Sequence, residues 1–208
     1  MALDLNEDKD VNEKVSDFFS NNKKNIILYS IIFIAFYFAS TVYISQDEKK
    51  YYLASDLYQK VQLANEINDA EGLTNELKEN YSKTSYASRA SIFLGNLYFK
   101  NKNFSMAKES YEWAVDNSIE PSISSLANYQ LGILFFSQKD FDNAIDAAIK
   151  INDNGFIGLK NNLLGDLYNS LGKTEDAIKH FQVAYDFYNN KNDLAKVVKI
   201  KIDSINQN

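Results

Sequence analysis

From Ile26 to Ile44 the chain reads Ile, Leu, Phe, Tyr, Val and Ala, with Ser30, Ser40 and Thr41 as the only small polar residues. No charge occurs between Lys24 and Asp47. No stripe of polar residues interrupts the run, so this segment is apolar all round, unlike the surface helix of a soluble domain. Residues 26–44 as a helix would extend about 28 Å, close to the hydrocarbon thickness of a bilayer. Tyr29 and Tyr43 fall near its two ends, where membrane interfaces favour tyrosine. The pattern therefore predicts a membrane span. On either side the period changes. Val11, Val15, Phe18 and Phe19 follow an i, i+4, i+7, i+8 spacing, one face of a short helix in a head over residues 1–25. Leu53, Leu57, Val61, Ala64 and Ile67 mark one helical face, Gly72 interrupts, and Leu73, Leu77 and Tyr81 resume it. This reads as a degenerate hairpin over 46–86. Leu194, Val198, Ile202 and Ile205 make a last amphipathic helix over 194–205, suited to cap an open end.

Between these lie three segments that align without gaps: "LGNLYFKNKNFSMA" from Leu94, "LGILFFSQKDFDNA" from Leu131 and "LGDLYNSLGKTEDA" from Leu164. Each reads Leu-Gly-x-x-aromatic-x8-Ala. Gly95 to Gly132 is 37 residues and Gly132 to Gly165 is 33, the period of tetratricopeptide repeats, each a helix-turn-helix. Gly95, Gly132 and Gly165, with Ala107, Ala144 and Ala177, lack the bulk that would hold helix A from helix B. Tyr98, Phe135 and Tyr168 are expected to fill the space beside that contact. Tyr111 and Ala114 of the first repeat match Phe181 and Ala184 of the third; the second departs, with Ala148 and Ile151. The fold class is all-α: a tetratricopeptide-like helical-hairpin solenoid over residues 45–208, with repeats from about 88, 125 and 158, behind one N-terminal transmembrane helix.

In such a repeat, helix A lines the concave surface at fixed offsets from the glycine. Those offsets select Arg89, Ile92, Asn96, Phe99 and Lys100 from the first repeat. The second gives Leu126, Tyr129, Ile133 and Phe136, and the third gives Leu159, Asn162, Asp166 and Asn169. The expectation is a water-facing apolar strip for a partner helix or extended segment, with Arg89 and Lys100 at one end and Asp166 at the other. A competing expectation is that a neighbouring helix, such as the C-terminal one, fills this groove.

Composition narrows the function classes. The formal net charge is −6, against the basic face that nucleic acid demands. Cysteine is absent, so disulfides, thiolate metal sites and cysteine nucleophiles are excluded. His180 is the single histidine, so no histidine triad or multi-histidine metal site forms within one chain, and a plain surface or packing role is expected of it. Gly155-x-x-Gly158 matches neither phosphate-loop pattern. No catalytic residue, cofactor, metal or small-molecule substrate is expected. The 25 residues before the apolar run, and the lack of an A-x-A site after it, argue for a retained anchor rather than a cleaved signal. Lys23 and Lys24 abut one end, Asp47 and Glu48 the other. This bias puts the N-terminus in the cytoplasm and the repeats across the membrane.

The layout resembles the YfgM-type ancillary subunits of the SecYEG translocon. The head "DVNEKVSDFFSNNKKN", the repeat segments "SYASRASIFLGNLYF" and "GFIGLKNNLLGDLYNSLGKTEDAI" and the C-terminal "VVKIKIDSI" carry the resemblance. It implies a single-pass protein of the bacterial inner membrane with a periplasmic repeat domain. Its implied partners are the translocon and a PpiD-type periplasmic chaperone during protein export. The alternative is a general envelope scaffold or receptor with its repeats in the cytoplasm.

Overall fold

The computed structural model describes residues 5–188 and 193–207, with the side chains of 5–10 and 42–46 outside the description. The interfacial position expected of Tyr43 lies outside the described residues. Every regular element described is helical: α1 (Leu5–Leu63), α2 (Ile67–Asn80), α3 (Ser85–Lys100), α4 (Phe104–Asn117), α5 (Pro121–Ser137), α6 (Phe141–Ile149), α7 (Ile157–Ser170), α8 (Thr174–Phe187) and α9 (Asp193–Asn206). A single 3-10 turn at Asn154–Phe156 precedes α7. The chain divides into two units, residues 1–50 and 51–208.

In the first unit the apolar side chains point outward on every side. Ile27, Tyr29, Ile31, Phe33, Ile34, Phe36, Tyr37 and Phe38 are all exposed, as are Val11, Val15, Phe18 and Phe19 of the head. Residues 11–41 form the segment long and apolar enough to cross a membrane. Two of its hydroxyls, those of Ser40 and Thr41, are satisfied locally. Ser40 donates to the Tyr37 carbonyl at 2.8 Å, and Thr41 to the carbonyls of Tyr37 at 3.1 Å and Phe38 at 2.9 Å. A helix that closes its own polar groups in this way suits a medium without water.

In the second unit each helix from α2 to α9 packs on the next, and α5 also meets α3 and α7. Alternate helices in contact are what stacked hairpins produce. The three A-to-B turns share one geometry. The amides of Asn103, Asp140 and Lys173 each donate, at 2.9 Å, to the carbonyls of Tyr98, Phe135 and Tyr168. Lys102, Lys139 and Gly172 sit between them at φ of 60°, 62° and 72°. This six-to-one closure with a left-handed residue is the Schellman ending of a helix.

The repeat glycines lie at the contact between helix A and helix B, as expected; a Cβ on Gly132 would be 3.5 Å from the Ala144 carbonyl oxygen. A Cβ on Gly95 would lie 2.5 Å from the Tyr111 ring, and one on Gly165 2.5 Å from the Phe181 ring. The glycine therefore makes room for the helix-B aromatic sixteen residues on, and those rings are buried. In the second repeat Ala148 stands at that position. Leu163, from the helix A that follows, fills the space instead, 2.7 Å from where a Gly132 Cβ would be. The second helix B is also shorter, with 9 residues in α6 against 14 in α4 and in α8.

Candidate functional site

The groove positions do not form a water-facing strip. Ile92 is buried. Tyr129, Ile133 and Phe136 are half-buried and pack on the cluster that holds Leu163, Leu164 and Leu167. Leu126 is half-buried against the first-repeat core, Leu159 is half-buried, and Phe99 packs its ring 5.7 Å from that of Phe104. The physical reason is that successive A helices touch, α3 with α5 and α5 with α7. Each thereby covers part of the next one's apolar stripe. What remains accessible is a row of half-exposed edges rather than an open channel.

The polar groove positions are also engaged. Arg89 reaches Glu120 at 3.2 Å, and Ser85 donates to the same carboxylate, so one end of the row is tied to the start of α5. The Tyr111 hydroxyl donates to Asn96 Oδ1 at 2.7 Å, committing that amide to its own hairpin. At the other end Lys201 of α9 bonds both carboxylate oxygens of Asp166 at 2.7 Å and Asn162 Oδ1 at 3.0 Å. Lys100 and Asn169 are exposed. Burial and the nearby Asp166 carboxylate raise the Tyr129 hydroxyl above its ordinary range, so it remains a hydrogen-bond donor.

The C-terminal helix thus closes only the third-repeat end. Its buried Val198, with Ile202 and Ile205, joins the cluster of Phe181, Ala184, Tyr185 and Tyr188, while Lys201 crosses to α7. Sequence periodicity does not reveal Lys201 or Glu120, because each acts on residues more than thirty positions away. The one signal for Lys201 was its place between Val198 and Ile202, a lysine close to the buried side of an amphipathic helix. His180 packs as expected, stacked on Tyr168 with ring centres 5.3 Å apart and bonded to Asn161 at 2.8 Å. No group of three or more metal-ligating side chains occurs among the described residues.

A family model described as a tetratricopeptide repeat-like domain matches residues 16–207. A curated protein of Aggregatibacter actinomycetemcomitans, named ancillary SecYEG translocon subunit, is 25% identical over 189 residues, 89% of this chain and 92% of that protein.

Proposed function

The chain belongs to the tetratricopeptide repeat-like domain family, and from that premise we propose that it is a non-enzymatic, membrane-anchored interaction protein. In this reading it is an ancillary subunit of the SecYEG translocon, linking it to PpiD-type periplasmic chaperones during protein export. Residues 26–44 anchor it in the bacterial inner membrane, residues 1–25 face the cytoplasm and the repeats face the periplasm. The observation that carries the reading is the order of parts. In this chain a head, one apolar span and a repeat solenoid follow one another, and the chain aligns over 92% of a relative named for that translocon.

Partners would meet the half-exposed edges of Phe99, Tyr129, Ile133 and Phe136, with Lys100 beside them. The apolar head face would lie against the bilayer or a translocon subunit. The test is site-directed photo-cross-linking in native membranes. A photo-reactive phenylalanine analogue replacing Phe99 or Phe136 should trap a periplasmic chaperone, identified by mass spectrometry, and the same analogue at Val183 should not. Val15→Asp with Phe19→Asp should weaken recovery of the translocon while the repeats stay folded. Equal trapping from all positions, or unchanged recovery from the head variant, would contradict the assignment.

A further inference from the structure

We propose that the apolar span pairs with the same span of a second copy of this chain, through the helix face that carries Ser30 and Tyr37. The proposal rests on the reading of residues 26–44 as a retained membrane anchor.

The described hydroxyls inside the span are of two kinds. Those of Ser40 and Thr41 close on carbonyls of their own helix. Those of Ser30 and Tyr37 make no hydrogen bond with any described residue, and both side chains are exposed. A serine can turn back to its own backbone. A tyrosine cannot, because its hydroxyl stands at the far end of a ring. Nor does Tyr37 reach water. It lies eleven residues in from Ile26, about 16 Å along the helix, near the middle of a hydrocarbon layer about 30 Å thick. Membranes favour tyrosine at their interfaces, where Tyr29 falls, and not at this depth. Lipid tails offer neither donor nor acceptor. An unpaired hydroxyl there costs free energy that a polar group on a neighbouring membrane helix removes.

The pattern favours a second copy as that neighbour. Ser30 and Tyr37 are seven residues apart, the interval that a left-handed pair of helices keeps in its seam. Two copies of one chain cross the membrane in the same direction, so their spans run parallel and each residue meets its twin at one depth. A hydroxyl both donates and accepts. Identical hydroxyls at equal depth therefore satisfy each other across a twofold axis, which like charges do not. A helix of another protein has to present polar groups at both of these depths to do the same. The surface also has the relief for such packing. Ser30 is the small residue in a depression of about 600 Å³ lined by Ile26, Tyr29, Phe33 and Ile34. A side chain of the facing helix fits a hole of that kind. Lys23 shares the heptad position of Ser30 but stands at the membrane edge, where salt screens the meeting of like charges.

The chain has no cysteine, so single thiols report the pairing in full-length protein. Ser30→Cys, Leu28→Cys and Ile32→Cys lie at nearly one depth, the last two on the opposite side of the helix from the first. Oxidation in the membrane with copper phenanthroline should give a disulfide-linked dimer from Ser30→Cys and none from the other two. Affinity is read in liposomes by energy transfer between donor-labelled and acceptor-labelled chains, with the dyes on Ser105→Cys. Excess unlabelled chain should abolish the transfer. Tyr37→Phe, which keeps the ring and removes the hydroxyl, should raise the dissociation constant about threefold or more, the size of an interhelical hydrogen bond in membranes. Ile32→Val should leave it unchanged. An alkaline wash of the membranes tests the anchor separately: release of the chain would sink the anchor reading and the pairing together. Retention of the chain with no Ser30→Cys dimer, with equal dimer from all three positions, or with an unaltered constant for Tyr37→Phe would overturn the pairing alone. So would a protein of different sequence recovered on Ser30→Cys in place of the second copy.

Discussion

Gly95, Gly132 and Gly165 hold the same repeat position but make room for different atoms, and their substitutions should separate accordingly. Alanine at Gly95 or Gly165 presses on the buried rings of Tyr111 and Phe181 at 2.5 Å. Overpacking of that kind costs about 1–3 kcal/mol. At Gly132 the clash at 2.7 Å is with the end of the Leu163 side chain, which can rotate, and alanine returns about 1 kcal/mol of helix propensity. Urea unfolding should show Gly95→Ala and Gly165→Ala destabilised and Gly132→Ala near neutral; equal losses at all three would contradict the packing described. His180 gives a pH signature. Burial is the main influence lowering its pKa from 6.5; Lys160 and Lys179 act in the same direction, and Asp176 opposes them. The unfolded chain therefore takes up this proton first as pH falls. The imidazole's contribution is complete above about pH 6.5 and is lost as the pH drops through the lower folded value. His180→Gln should remove that part of the acid-side slope, measured as the difference between the two stability profiles. An unchanged slope would show that the ring is not sheltered between Tyr168 and Asn161.

At the scale of elements, the described contacts that hold α9 to α7 and α8 include an apolar face, the Lys201–Asp166 ion pair and the Lys201–Asn162 hydrogen bond. Lys201 and Asp166 are each about 30% exposed, so their pairing is partly shielded from solvent. Lys201→Ala should cost about 1–3 kcal/mol, the range for hydrogen bonds to charged groups. Amide exchange should rise across residues 193–206 and stay unchanged in α2 to α4; uniform exchange would refute a local clamp. The elements themselves were legible in the sequence, because Leu-Gly-x-x-aromatic-x8-Ala fixes which faces of helices A and B must meet. The exposure of the groove was not. Whether Ile92 or Tyr129 sees water depends on how closely α3, α5 and α7 stack, and spacing within one helix carries no information on that. The same holds for Leu163, which fills the space beside Gly132 only because Ala148 leaves it empty.

At the scale of the whole molecule, the proposed role is that of a tether, with a cytoplasmic head, one span and a periplasmic interaction domain. The proposed orientation follows from Lys23 and Lys24 at one end of the span and Asp47 and Glu48 at the other. The absence of cysteine makes the arrangement directly measurable. Ser16→Cys in the head and Ser105→Cys in α4 are both at exposed positions, and each supplies a single thiol. A membrane-impermeant maleimide added to intact spheroplasts should label the Ser105→Cys chain at once and the Ser16→Cys chain only after the membrane is opened. Both should migrate at full length. Labelling of Ser16→Cys in intact spheroplasts with Ser105→Cys protected would put the repeats in the cytoplasm and contradict the proposed role at the periplasmic side of the translocon.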